Sequence, residues 1–513
     1  KLLSAILVIT LLAATLTGCS SSGDSSSGAS GAQEPTVRDD LIIAQSGEPA
    51  SLDPHNCYEL TAMRIYMNMF DPLIKADADG KLYPGLATEW SVSEDGLTYS
   101  FKLREGVKFH NGDPFTAADV KYSFERAMAS AYCLEATEPL DRVEVVDDYN
   151  VNVVLKYPYA PQLNFFSTTY LSVVNKNVVE ERGADFSVNP AGAGTGAYKF
   201  SEWQKGVSVT MEANEEYFEG APAIKKVTYK NIPEKSAGAI AVESGDVDIF
   251  LEPSTVDVPN LKSNDKLAVY EAESYYCEYV AFNVKAAPFD KPEVRQAFAH
   301  AVDKEELLLA VVDGIGGEEA GTLVSPRSFG HNPDLKPYEY NVDKAKELLT
   351  QAGYPDGFTC KITTIDGPRK KVAEVYQAAL MEIGVTAEVE VLESGAYYDD
   401  AEQGNGQIYV GGMTALPADG DPILNTCFAE SAVGVTNYSY YVNEEFEQLL
   451  KEERASTDPT VREAALKRMQ EIIYEDVPAI PSYFRVTINV ADKNIQNFKT
   501  EAHNLFYVSE LSW

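Results

Sequence analysis

The chain has few of the residues on which most catalytic and metal chemistry depends. Its five histidines, His55, His110, His300, His331 and His503, are scattered without metal-ligand spacing. Three tryptophans, Trp90, Trp203 and Trp513, are too few to supply the stacking platforms of an oligosaccharide groove. No GxSxG elbow, HExxH helix, Walker A loop or kinase motif set occurs. Positive charge is short as well: Lys plus Arg total 42 against 79 Asp plus Glu, a formal charge of -37 that repels phosphate backbones and anionic headgroups. That balance excludes nucleic acid as a partner. Beyond Cys19, the cysteines are Cys57, Cys133, Cys277, Cys360 and Cys427, an odd set with no CxxC pair. Neither a zinc knuckle nor a thioredoxin-type motif is present, and at least one thiol stays unpaired in a monomer. The run Gly192-Ala193-Gly194-Thr195-Gly196 lacks the GxGxxG spacing and the Lys-Ser/Thr of a phosphate loop, so its glycines are read as a tight chain reversal. Nothing repeats at intervals of about 20 to 50 residues, which excludes a solenoid. Acidic residues are so abundant that chance carboxylate pairs are guaranteed, and a glycosidase pair has no signature to read.

What is present begins with an address. Leu2, Leu3, the stretch 5–9 and the stretch 11–14 form an apolar run too short for a comfortable membrane span, the pattern of a secretory signal. Leu16-Thr17-Gly18-Cys19 resembles the lipobox of bacterial lipoproteins, in which cleavage leaves Cys19 as the lipidated first residue. A buried methylene contributes about 0.8 kcal/mol, so two or three acyl chains hold firmly. Residues 20–40 begin with a Ser-, Gly- and Ala-rich stretch that cannot collapse and serves as a flexible tether. Beyond it, 45% hydrophobic and 11% aromatic residues supply enough apolar surface for large cores, and 513 residues suggest about three domains.

The body alternates strands and helices. Tyr99, Phe101 and Leu103 alternate with polar residues over 98–103, the period of a half-buried strand. Val207, Val209 and Met211, then Val227 and Tyr229, repeat the pattern, and 385–392 reads as another strand. Thr116 with Asp119 opens a helix through Met128 whose Val120, Phe124 and Ala127 share a face. Pro292 starts a helix with Val294, Phe298 and Ala301 on one stripe, and Asp303 with Glu306 caps the next. A helix over 341–352 stops at Gly353, and Asp458-Pro459 opens one through Tyr474. A mixed α/β architecture follows.

Several of these stretches, in order, carry a resemblance. Glu48-Pro49-Ala50-Ser51-Leu52-Asp53-Pro54, Met69-Phe70-Asp71-Pro72-Leu73 and the block 94–112 with 116–120 lead it. Gly194-Thr195-Gly196-Ala197-Tyr198, Phe282-Asn283, Val294-Arg295-Gln296-Ala297 and Tyr354-Pro355-Asp356-Gly357-Phe358 continue it. From residue 41 to the end, the chain resembles the family 5 extracellular solute-binding proteins, receptors of peptide and nickel ABC importers. The resemblance implies a periplasmic-binding-protein-like two-lobed clamp of type II with an extra inserted domain. By analogy, 41–70, 189–276 and 489–513 form a discontinuous hinge domain, 71–188 the inserted domain, and 277–488 the opposing ligand-binding lobe. The implied activity is capture of an oligopeptide or similar small solute and delivery to ABC permease subunits, without catalysis, cofactor or metal, by a monomer. It would sit in the cell envelope, held by its lipid anchor on the outer face of the cytoplasmic membrane, or in the periplasm. Relatives that take nickel chelates or oligosaccharides provide the alternative, and a surface lipoprotein hydrolase a more distant one.

The resemblance also nominates site residues. Where peptide-binding relatives carry a Gly-Trp strand and an amine-binding Asp ahead of an acidic-Pro pair, this chain reads Gly411-Gly412-Met413-Thr414-Ala415-Leu416-Pro417-Ala418-Asp419-Gly420-Asp421-Pro422. The Trp is absent and the spacing differs by an insertion, so Asp419, Asp421 or neither is the anchor. Gly411 and Gly412 either admit a ligand backbone or merely form a small-residue strand. Asn56, Tyr58 and Glu59 are expected to line the cleft from the hinge domain. Arg369 stands where relatives place a carboxylate-binding Arg, in a shorter loop; the other reading is a solvated surface side chain. Cys277 matches one half of a disulfide of enteric receptors, and Cys427 is its nearest candidate partner.

Overall fold

The computed structural model describes residues 38–513 apart from 78 and 79. The leader, Cys19 and most of the tether lie outside the described residues.

Local sequence signals set the elements. Strand Thr98–Leu103 buries Tyr99, Phe101 and Leu103 on one face, as its alternation predicts. Helix Ala117–Met128 starts where Asp119 Oδ2 accepts from the Thr116 backbone N–H at 2.9 Å and from its hydroxyl at 3.0 Å. Asp303 caps helix Lys304–Val312 by accepting from the Glu305 N–H at 2.9 Å. Asn341 and Asp458 do the same for helices Val342–Gln351 and Pro459–Asp476. Each such cap satisfies orphan donors at a helix start and contributes on the order of 1 kcal/mol.

Two long strands organise the molecule. Leu267–Phe282 and Ala479–Asp492 pair antiparallel over most of their lengths and pass through the middle of an eleven-stranded sheet. On one side the sheet continues through Ile249–Leu251, Asp40–Gln45, Lys226–Asn231, Ser208–Ala213 and Tyr198–Gln204. On the other side it continues through Ile408–Met413, Thr359–Ile365 and Thr386–Leu392, and the eleventh strand, Gly317–Glu319, pairs with Ala479–Asp492. The ladder between the long strands slips between Glu273 and Cys277, so Ser274, Tyr275 and Tyr276 bulge where the two halves meet.

Apolar side chains separate into distinct cores. One lies around Leu41, Ile43, Tyr198 and Val227. Two lie in the other half, around Phe282, Phe298 and Tyr376 and around Cys277, Phe428 and Met469. A further core fills the space between helix Ala117–Met128 and a four-stranded antiparallel sheet, where Phe101 and Phe124 both pack on Phe166. The glycine run at 192–196 is a close approach of two chain segments: a Cβ on Gly194 would lie 1.9 Å from the Met69 carbonyl oxygen.

The disulfide suggested for Cys277 and Cys427 is absent. Both thiols are free and buried in one core, Cys277 donating to the Glu278 carbonyl and Cys427 bonded to the Tyr279 hydroxyl. The other three cysteines of the described residues are free and buried too. No helix among the described residues is long and apolar enough to cross a membrane.

Candidate ligand cleft

Strand Ile408–Met413 pairs with the first long strand along its whole length, Gly411 opposite Tyr279 and Met413 opposite Cys277. Its pairing with Thr359–Ile365 covers only Ile408 and Tyr409. The two glycines make room for rings of the long strand. A Cβ on Gly412 would sit 1.9 Å from the Tyr276 hydroxyl, and one on Gly411 2.7 Å from the Tyr279 ring. Met413 is half-buried against the core of this lobe and Thr414 is exposed.

Arg369 follows Pro368 in the first turn of helix Pro368–Glu382 and is not a solvated surface residue, its side chain being 13% exposed. Its Nε donates to Glu278 Oε1 at 2.9 Å, and its Nη2 to the Tyr276 hydroxyl at 3.0 Å and the Gly412 carbonyl at 3.2 Å. Arg485 Nη2 donates to the other Glu278 oxygen at 3.0 Å, and its guanidinium lies 3.8 Å over the Tyr276 ring. Glu278 is fully buried, and two guanidiniums offset the desolvation of its one carboxylate.

Asp419 and Asp421 are occupied in the same way. Arg462 grips Asp419 with both Nη atoms at 2.9 and 3.0 Å. Arg454 donates to Asp421 at 2.6 and 3.0 Å, and the Tyr159 hydroxyl adds a third bond at 3.0 Å. Glu453 accepts from Arg462 at 2.9 and 3.0 Å. Three buried carboxylates thus share two guanidiniums, and one proton balances the charge. Glu453 carries it, because burial and the neighbouring Asp421 hold its carboxyl well above the usual range. Burial alone would raise Asp421 too, but Arg454 outweighs it and holds that group low. Neither aspartate has a bare oxygen to offer an ammonium.

Asn56, Tyr58 and Glu59 lie on the surface, Tyr58 being 58% exposed with its ring 5.7 Å from that of Tyr132. Glu59 accepts from the Ala50 N–H at 3.1 Å immediately before helix Leu60–Tyr66.

Two cavities, of about 550 and 530 Å³, flank the segment 416–419. The first lies between Met63 and Met67, Tyr83, Tyr275 of the bulge, and the C-terminal residues His503 and Tyr507. Tyr275 packs against His503 with ring centroids 4.2 Å apart and the planes tilted by 31°, and burial drops that imidazole to about 4, leaving it neutral. Glu501 lines the same cavity, where burial, then Glu510, pushes its carboxyl up to about 7. The second cavity is bounded by Tyr99, Leu163, Arg327, Phe329 and Ser456. Gly80, Asn164 and Ala418 line both. Both volumes fall in the range of small-ligand pockets. Sequence reasoning missed Tyr275, Arg327, Glu501 and His503. No local signal marked them, since they converge through tertiary packing alone.

The model of the bacterial extracellular solute-binding proteins, family 5 Middle, matches residues 81–434. This chain belongs to the family 5 extracellular solute-binding proteins, and its fold is that of the type II periplasmic binding proteins. Among its relatives is the glutathione-binding protein GsiB of Pectobacterium atrosepticum, 28% identical over 481 residues that cover 91% of this chain and 93% of GsiB. HbpA2 from Haemophilus parasuis superposes with a TM-score of 0.87 at 28% identity, over 92% of this chain and 99% of HbpA2. The ABC transporter-associated periplasmic binding protein DppA from Helicobacter pylori, solved with the peptide STSA, gives 0.77 at 29% identity over 93% and 98% of the two chains.

Proposed function

We propose that this protein is the extracellular receptor of an ABC importer, capturing short peptides in the cleft between two lobes and handing them unchanged to a permease. One observation carries the reading. The cavity of about 550 Å³ draws its walls from all three parts of the proposed division, Met63, Met67, Tyr275 and 497–511 of the hinge domain, Tyr83 and Asn164 of the inserted domain, and 416–418 of the opposing lobe, so movement of one part against another opens or closes it. GsiB and DppA, which bind glutathione and a peptide by name, support the solute class. The hinge domain of this reading comprises 41–70, 189–276 and 489–513, with 71–188 inserted and 277–488 opposing. Cys19 carries the lipid anchor, and the receptor works as a monomer without cofactor.

In this account Arg369, Asp419 and Asp421 brace the cleft rather than touch the ligand, because each already has a full set of partners. The ligand meets Tyr275, His503, Asn164 and the backbone of 416–418, with Asn56, Tyr58 and Thr414 at the rim. Micromolar capture requires about 8 kcal/mol net, which a closed, partly dry cleft supplies through a few charge-assisted bonds and apolar burial. Native mass spectrometry of the purified protein with a mixed library of short peptides is the test. Retention of intact peptides is expected; their hydrolysis during incubation would end the receptor reading.

A further inference from the structure

We infer that a small pocket beside Glu48, away from the two large cavities, is a calcium site built from two amide oxygens and one carboxylate. Gln45, Glu48, Trp203, Ser208 and Asn231 are among its walls, and it holds about 10 Å³, room for one bare cation or one water oxygen. Gln45 and Asn231 end strands Asp40–Gln45 and Lys226–Asn231 and stand opposite each other in the parallel ladder, so their side chains leave the sheet on the same face. Gln45 Nε2 donates to the Thr61 carbonyl at 3.0 Å, and Asn231 Nδ2 to the Gly206 carbonyl at 3.3 Å. These bonds fix the orientation of both amides, because a flip would set oxygen against oxygen. The remaining atoms, Gln45 Oε1 and Asn231 Oδ1, are buried and have no hydrogen-bond partner among the described residues. Two orphaned acceptors on one pocket call for an electropositive occupant.

Glu48 supplies the charge. Its Oε1 accepts from Trp203 Nε1 at 2.9 Å and from the Gly206 N–H at 2.7 Å. Its Oε2 has no partner, and the carboxylate makes no ion pair among the described residues. Tyr229, also on the wall, spends its hydroxyl on the Arg64 carbonyl at 2.9 Å. A water has two hydrogens to share among three acceptors, whereas a cation serves all three and neutralises the carboxylate as well. Among the described residues no group of three His, Cys, Asp or Glu is placed to hold a metal, so the amide oxygens are what make this pocket a site. Carbonyl and carboxylate oxygens select a hard cation. Ser208 and Glu48 are half-buried, so a hydroxyl and water at the rim can raise the ligand count toward the six to eight oxygens that calcium takes. A single carboxylate places the affinity at the weak end of the range, a Kd of about 10⁻⁴–10⁻³ M, which is the range of extracellular calcium modules.

Crystals of chelator-stripped protein, soaked with and without millimolar calcium chloride, give the direct test. A calcium-dependent peak about 2.3–2.6 Å from both Gln45 Oε1 and Asn231 Oδ1 is expected. A peak about 2.8 Å away that is the same in both crystals is a water and overturns the proposal, as does no peak at all. In solution, calcium is expected to raise the melting temperature more than equal magnesium, which gives up its water reluctantly. The net charge of -37 gathers cations elsewhere on the surface, so E48Q is the comparison. That variant keeps an acceptor for Trp203 and Gly206, and it should need at least tenfold more calcium for half the effect. An E48Q that responds to calcium as wild type does overturns the proposal. If E48Q fails to fold, the wild-type crystals still decide. None of these outcomes depends on what the large cavities bind.

Discussion

Glu453 shows how much a single proton matters at the residue scale. The folded chain holds a proton there that an unfolded chain releases in the ordinary carboxylate range, because burial and Asp421 raise the folded-state group. Its contribution is fully present at acid pH and declines as pH rises through and beyond that range, since the native state then binds more protons than the unfolded one. Glu453→Gln keeps the shape, accepts from Arg462 with its carbonyl oxygen and donates to Asp421 with its amide. Thermal melts across pH 5 to 9 are expected to show the variant gaining most over wild type at the alkaline end; an unchanged difference across the series contradicts a protonated Glu453. Residues of this kind were invisible in the sequence. Asp419 and Asp421 stood out by their place beside Pro422, but nothing in the local pattern announced that Arg454 and Arg462, more than thirty residues away, already held them.

At the scale of elements the sequence was far more legible. Strand Thr98–Leu103 and helices Ala117–Met128, Lys304–Val312 and Pro459–Asp476 begin where alternation and caps put them, because those signals act within a few residues. The glycine pair in Ile408–Met413 was ambiguous for the opposite reason: the space beside a glycine is defined by its neighbours in the fold, here Tyr276 and Tyr279. Gly412→Ala is expected to push Tyr276 out and break its bond with Arg369, at a cost of about 1–3 kcal/mol typical of overpacking. Urea denaturation measures that loss; a variant as stable as wild type means that the tyrosine has free space elsewhere. The bulge at 274–276 has a similar standing. Successive strand residues face opposite sides, so Tyr275 reaches the first cavity while Tyr276 meets the arginine pair.

At the scale of the whole molecule, contacts cross between the proposed inserted domain and the opposing lobe. Tyr159 bonds Asp421 at 3.0 Å, Asn164 reaches Asp419 at 3.4 Å, and the Ala160 N–H donates to the Arg454 carbonyl at 2.9 Å. If 71–188 and 277–488 move apart as proposed, these contacts form a latch that biases the empty receptor toward closure. A ligand shifts such an equilibrium only by its differential affinity for the two states, so the latch must stay weak enough to open. Tyr159→Phe removes one bond to a charged group, on the order of 1.5–3 kcal/mol. Small-angle scattering of the ligand-free variant is expected to give a larger radius of gyration than wild type, with ligand restoring compaction. Equal profiles without ligand indicate that the contacts move as one body. The family-wide architecture was readable from motifs spread over the chain, whereas charged residues of the two cavity walls, Asp77, Lys81, Arg327, Lys499, Glu501 and Glu510, share no motif.

The five cysteines of the described body lie at 0 to 4% exposure with their thiols unlinked. The protein therefore carries a built-in reporter of its own integrity. Among the described residues bulky sulfhydryl reagents find nothing to label while the fold holds, and the pace at which they mark these five thiols in increasing denaturant tracks how often the interior is bared, with no dye or engineered probe to disturb it.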